Sequence, residues 1–543
     1  MPMHFTDLNQ SILLICSFLK MEDHNSLLSA CKFLHENMGF NNIIPWDKPF
    51  LIKNSEYFDR IKSHKRFKYI KDMTILYAIN IVENPAFNKL SGSGLKKLKL
   101  RGMNSLTHNI KGINVLDKLH TLIIDRYTYM TDISPIAAMH NITELSILEC
   151  FRLIDFTPLS SMINLNKLSL TCFNKGGLDA ISNLINIKNL YINLFSTADI
   201  KLLSNLKNLE VLSIEITNSI FPVPLDTYNM DLSPLASLKN LFSLSLNSYS
   251  IYYLPSISLL TNLTNLTNVE IVTPQLLNIT DFSELINIKS LKIRSAQIFN
   301  IDPLIKLVNL ENLSLMCREL NNISAISKLT KLVSFECETD RSLDICPISR
   351  LTQIEELNIS CLELVNMAAL NRLVNIKILK ISVIYYLKTI IPMSYLYNIT
   401  NIELAKYDGK DISALSNLFN LSHIKFDTCI NMTDINALSN LINLRFIRFS
   451  YCFALTDIKP LINLHNLTRL EIIKCNRIMD ISPVSNLDRL KILFLKNCTK
   501  VNITPIHSMK NLSELHICLC YNNTTHLDEL SHLYNLTIYK YYH

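Results

Sequence analysis

The stretch "DIKPLINLHNLTRLEIIKCNRIM", Asp457 to Met479, decides how this chain is read. It is preceded by "DINALSNLINLRFIRFSYCFALT" (Asp434–Thr456) and followed by "DISPVSNLDRLKILFLKNCTKV" (Asp480–Val501). With the leading Asp as position 0, all three carry apolar residues at positions 1, 4, 7, 10, 13 and 15 and Cys at 18. The pattern starts again at 109, 132, 155, 177, 199, 231, 256, 278, 300, 322, 344, 366, 389, 411, 434, 457, 480, 502 and 526, nineteen registers mostly 22 or 23 residues apart. "GLKKLKL", Gly94–Leu100, suggests one more before them. A period of this length marks an array in which each repeat buries its apolar face against the next. The 543 residues therefore hold one long repetitive domain rather than three or four ordinary ones.

Within a repeat, positions 12 to 16 alternate with period two, the signature of a short strand. Leu470 and Ile472 face one way, Arg469 and Glu471 the other. Stacked in parallel, such strands make a sheet with one face in the core and the other open. The return segment begins with Ser/Thr-Pro, as at Ser134-Pro135, Thr157-Pro158, Ser233-Pro234, Ser482-Pro483 and Thr504-Pro505. The hydroxyl is expected to cap a short helical or 3₁₀ turn, with Pro as its first residue. The expected fold class is an α/β solenoid: an arc on the order of 90 Å long at strand spacing, with a parallel sheet on its concave face.

Composition narrows the function. Apolar residues make up 48% of the chain, yet the longest apolar run near the start, Ile12–Cys16, falls far short of the roughly 18 residues a spanning helix needs. Asp7 and no Lys or Arg precede that run, and "KMEDHN" separates it from "LSAC" (Leu28–Cys31), so neither a leader peptide nor a lipoprotein signal is expected. The expected location is the cytoplasm or nucleus, of a host cell if the protein is viral or bacterial, and no membrane partner is expected.

Fourteen cysteines are too few for a disulfide scaffold. They follow the repeat: Cys150, Cys429, Cys452, Cys475, Cys498 and Cys520 at position 18, Cys172, Cys317 and Cys361 at 17, as reduced core thiols would. A net charge of +7, scattered along the chain, argues against a nucleic-acid partner. No phosphate loop, zinc-protease motif or nucleophile elbow is present, so neither catalysis nor a cofactor is expected. The best metal candidate is His516, Cys518, Cys520 and His526. Cys520 is the repeat's own cysteine and points elsewhere, so no metal site is expected.

The template D-I-x-P-L-x-N-L-x-N-L-x-x-L-x-L-x-x-C resembles the leucine-rich-repeat family over about four fifths of the chain. Its first half is similar to bacterial internalin repeats. Its second half is similar to the cysteine-containing repeats of eukaryotic ubiquitin-ligase receptors. Ahead of the array, Leu8, Ile12, Ile15 and Leu19 share one helical face, and Asp23 could cap a second helix carrying Leu27, Ala30, Cys31 and Leu34. "ICSFL" and "DHNSLLSACKFL" resemble an F-box, without that family's opening Leu-Pro or closing Trp.

These resemblances imply an F-box-like helical domain over 1–40, a transition and N-terminal cap over 41–93, and a solenoid of about 19 to 20 repeats over 94–543. They imply a non-catalytic substrate receptor of a cullin-type ubiquitin ligase, monomeric outside its complex. Leu8, Ile12, Ile15, Phe18, Leu19, Leu27, Cys31 and Lys32 would bind the Skp adaptor, and through it a cullin. The repeats would hold an unknown target protein on the concave face. The alternative is an internalin-like effector or adhesin without a ligase role. On the open face Phe446, Arg448, Arg469, Phe494 and Lys496 make the expected target-binding patch, since aromatic and guanidinium groups anchor interfaces. Glu336, Glu338 and Glu356 form an acidic counterpart some five repeats away.

Overall fold

The structure is a computed structural model that describes residues 50–52, 70–76, 93–102, 110–171, 178–194, 197–216, 231–248, 253–254, 257–276, 278–498, 500–518 and 537–541. It divides into two compact units, Met1–Ile187 and Lys188–His543. The residues read as an F-box, Leu8 to Lys32 among them, lie outside the described part, as do Cys172, Cys520 and His526.

In the first unit, parallel strands Lys97–Arg101, Thr121–Asp125, Glu144–Leu148 and Lys167–Thr171 pair in order, with Lys97, Thr121, Glu144 and Lys167 level. The ladder also runs the other way, into the segment read as transition and cap: Lys97 is level with Asp72 of Asp72–Leu76, which pairs with Phe50–Ile52. In the second unit the parallel ladder runs from Asn189–Leu194 to Thr537–Tyr541. Asn312, Ser334, Glu356 and Ile378 are level, and so are His423, Phe446, Arg469, Ile492 and Glu514. Each stands at position 12 of its repeat. At the end of the array Thr537 lies opposite Glu514.

The inward positions make a continuous core. Ile458, Leu461, Leu464, Leu467, Leu470, Ile472 and Cys475 of a single repeat are all buried. Each repeat can bury that stripe only against its neighbours, so stability is a sum of nearest-neighbour interfaces. Every helical element among the described residues is a 3₁₀ turn.

The capping differs from expectation. Ser482, Thr157 and Ser413 are the first helical residues and Pro, where present, the second; the preceding Ile481, Phe156 and Ile412 offer no side-chain bond. The capping group is the position-0 Asp. Asp480 Oδ1 accepts the Ser482 amide at 2.8 Å and Asp480 Oδ2 its hydroxyl at 2.8 Å, while at Asp155 and Asp411 Oδ1 alone accepts both the amide and the hydroxyl of Thr157 and Ser413. An Asx turn thus satisfies an amide that the 3₁₀ turn leaves open.

Asparagine at position 9 supplies a second fastening. Its side-chain amide donates to the position-8 carbonyl of the previous repeat: Asn398 to Val374 (3.0 Å), Asn420 to Tyr397 (2.9 Å), Asn443 to Phe419 (2.8 Å) and Asn466 to Ile442 (2.8 Å). No helix among the described residues is long and apolar enough to cross a membrane.

Candidate binding surface on the open sheet face

Two kinds of bend lead away from the strands. In one, the strand stays extended through position 17, where Cys317, Thr339, Cys361 or Val383 points inward and is buried. In the other, position 17 adopts a left-handed conformation (Thr428 at φ 54°, Tyr451 at 55°, Lys474 at 53°, Asn497 at 56°) and position 18 enters the core instead. That slot holds Cys429, Cys452 and Cys475, all buried, and Cys498, half-buried. In the first unit the same bend places Cys150 and Tyr127 inside, after Glu149 and Arg126.

The thiols donate to backbone carbonyls, Cys475 to Ile473 at 3.4 Å and to Phe449 of the preceding repeat at 3.6 Å. Burial pushes the thiols of Cys150, Cys317 and Cys361 up to about 12. Hydrogen bonding with Cys429 and Cys475, together with burial, holds Cys452 protonated well above the usual thiol range. Cys150, Cys317, Cys361 and Cys452 thus have little thiolate available for chemistry.

The outward positions 14 of successive repeats carry Arg448, Glu471, Phe494, His516 and Tyr539 in one row, and Arg469 stands beside Phe446 in the row of positions 12. Glu471 organises this area. Alternation puts it on the open face, yet it is only 4% exposed, because its neighbours close over it. Arg469 binds its carboxylate through Nε at 2.6 Å, and Arg448 lies 3.5 Å away in an ion pair without a hydrogen bond. The Arg469 guanidinium sits 5.7 Å from the Phe446 ring and 5.0 Å from the Phe494 ring, so two cation–π contacts and one carboxylate hold it.

The structure thus joins Phe446 and Phe494 through Arg469, and Arg448 and Arg469 through Glu471, which sequence reasoning did not single out. All of them, and Lys496, are half-buried rather than projecting freely. Phe494 stacks on His516 at 3.7 Å, and His516 on Tyr539 at 4.2 Å. His516, offered as a zinc ligand by the sequence, is therefore packed between two rings. No group of three or more metal-binding side chains occurs among the described residues.

The acidic counterpart is built differently. Glu336 accepts hydrogen bonds from Ser314 (2.7 Å) and Asn358 (2.7 Å) on the flanking strands, and Glu356 lies 3.5 Å from the Ser334 hydroxyl. Glu338 is exposed.

A strand, a bend and a 3₁₀ return repeating every 22 or 23 residues define a leucine-rich-repeat architecture. No protein-family model and no curated protein matches the chain. Among solved structures it is similar to an internalin of Listeria monocytogenes (23% identity over 63% of this chain and 83% of that one, TM-score 0.38). It is also similar to a leucine-rich-repeat protein of Leptospira interrogans (17%, 82% and 99%, TM-score 0.45). A third is a plant peptide hormone receptor in complex with its peptide (14%, 92% and 97%, TM-score 0.43). No F-box emerges from these comparisons.

Proposed function

We propose that the protein is a binding scaffold whose open sheet face receives a polypeptide partner, with Phe446, Arg448, Arg469, Phe494 and Lys496 at the centre of the contact. The observation that carries this reading is the Arg469 clamp. A guanidinium fixed between two rings above a buried carboxylate presents a preorganised aromatic–cationic surface, the composition of interface hot spots. The core residues beneath have no role but packing, so the outer positions are free to specify a partner. Hydroxyl-radical footprinting of Phe446 and Phe494 against a panel of short peptides tests it. Protection of both rings by some member of the panel is expected; protection confined to the return turns would sink the reading.

The finer proposal is that residues 1–40 dock the scaffold onto a Skp-type adaptor, making it a non-catalytic receptor of a cullin-type ubiquitin ligase. Its support is the sequence pattern "ICSFL…DHNSLLSACKFL" ahead of the repeats. The scaffold would act by proximity, raising the local concentration of a bound target near the conjugating enzyme. A pull-down with the adaptor, using wild type and Ile15→Asp/Leu19→Asp, decides it. No capture by the wild type would leave the internalin-like reading, an effector or adhesin without a ligase role.

A further inference from the structure

On the outward positions 12, 14 and 16, the Asp434, Asp457 and Asp480 repeats carry three cations, Arg448, Arg469 and Lys496, and one carboxylate, Glu471. That carboxylate is buried and engaged by both Arg448 and Arg469. It orients the guanidinium groups but offers little negative charge to an incoming partner. Arg448 keeps its donors uncommitted, because its ion pair with Glu471 at 3.5 Å has no hydrogen-bond geometry. The same positions of the Asn300, Asn322 and Asp344 repeats hold three carboxylates, Glu336, Glu338 and Glu356, and no cation. The charge is thus segregated along one sheet face rather than scattered.

Resting on the reading that this face binds a polypeptide, we infer that its ligand is an acidic segment, its carboxylates seated on Arg448 and Lys496 and its apolar side chains against Phe446 and Phe494. The half-buried rings set the scale. They leave edges for aliphatic contact but are covered by Arg469 and, at Phe494, by His516, so they offer no open platform on which nucleic-acid bases could stack. Arg448 and Lys496 lie two strands apart and two residues along, roughly 12 Å from strand spacing and rise. An extended peptide crossing the ladder covers that distance in about three to four residues. The segment should therefore carry acidic residues about three or four apart, with an apolar residue between them.

The test is fluorescence anisotropy on the full chain at low and high salt. The probes are three short peptides of one Leu-containing design, with Glu, Gln or Lys at the charged positions, and a single-stranded oligonucleotide. The Glu peptide should bind, weaken as salt rises, and lose at least about tenfold in affinity in Arg448→Glu/Lys496→Glu. The Gln and Lys peptides should bind far less. If the Gln or Lys peptide bound as well as the Glu peptide, the acidic specificity would fall while the binding face stood. If no peptide bound, both readings would fall. Oligonucleotide binding equal to that of the Glu peptide, or full retention by the charge-reversed variant, would overturn the inference. Circular dichroism of the variant guards against mistaking misfolding for lost contacts.

Discussion

The strands Asn312–Cys317, Ser334–Glu338 and Glu356–Cys361 and the strands Phe446–Ser450, Arg469–Ile473 and Ile492–Lys496 share one inner surface and differ in everything else. In both regions positions 13 and 15 are buried Leu, Ile, Phe or Cys. In the first, the outer row is acidic, Glu336 is held by a serine and an asparagine, and the strand runs straight into its bend. In the second, the outer row is cationic and aromatic, its carboxylate is buried, and the bend turns through a left-handed residue. The inner row makes the fold, so it cannot vary. The outer row touches only its neighbours on the ladder, so it can be rewritten from repeat to repeat, and that freedom is where a binding function can be placed.

The largest effect that would break this contrast is at the two carboxylates. Glu471→Ala leaves two guanidinium groups facing each other over a buried void, and should cost about 2 kcal/mol in urea unfolding, discounted from the full buried-pair loss because both arginines are partly exposed. Glu336→Gln keeps its hydrogen bonds and should cost well under ~1 kcal/mol. Equal costs would mean that Glu471 is not the organiser of its region.

The asparagine ladder is common to many repeats. Asn443→Ala should lose about 1 kcal/mol by leaving the Phe419 carbonyl without its donor, measured the same way. Smaller still, Lys474→Gly relieves a left-handed β-carbon at φ 53° and should stabilise by about 0.5 to 1 kcal/mol, while the same change at Thr339, in the straight bend, should destabilise.

The position-0 aspartates add a pH dependence without regard to region. Hydrogen bonds from Thr157, Ser413 and Ser482 hold the carboxyls of Asp155, Asp411 and Asp480 below the ordinary value. Their folded values are depressed, so this stabilisation is complete above the unfolded carboxylate range, near ~4, and is lost as pH falls through the folded values. Asp480→Asn should flatten that acid limb slightly. An unchanged limb would show that the cap does not titrate with folding.

Much of the fold was legible because a period of 22 or 23 cannot arise from local propensity alone. Even the two bends left a trace, as cysteine at position 17 or 18. What escaped has physical reasons. "FLI" and "DMTIL" lack the Asp-Ile-x-Pro-Leu return, so nothing in the chain advertised the strands Phe50–Ile52 and Asp72–Leu76. Asn at position 9 stood in the template, but its acceptor belongs to another repeat. Glu471 looks exposed by alternation and is buried only because Arg448, Arg469 and Phe494 converge on it from three strands. Ser/Thr-Pro looked like a cap, although the Asp two residues earlier supplies the bond.

The central claim, that the outer row binds while the inner row only folds, is tested most directly by paired triple variants titrated with the acidic peptide. Phe446→Ala/Arg448→Ala/Phe494→Ala should weaken binding by about 2 kcal/mol, and Glu336→Gln/Glu338→Gln/Glu356→Gln should leave it unchanged. Equal losses from both, or loss from the acidic set alone, would contradict the account.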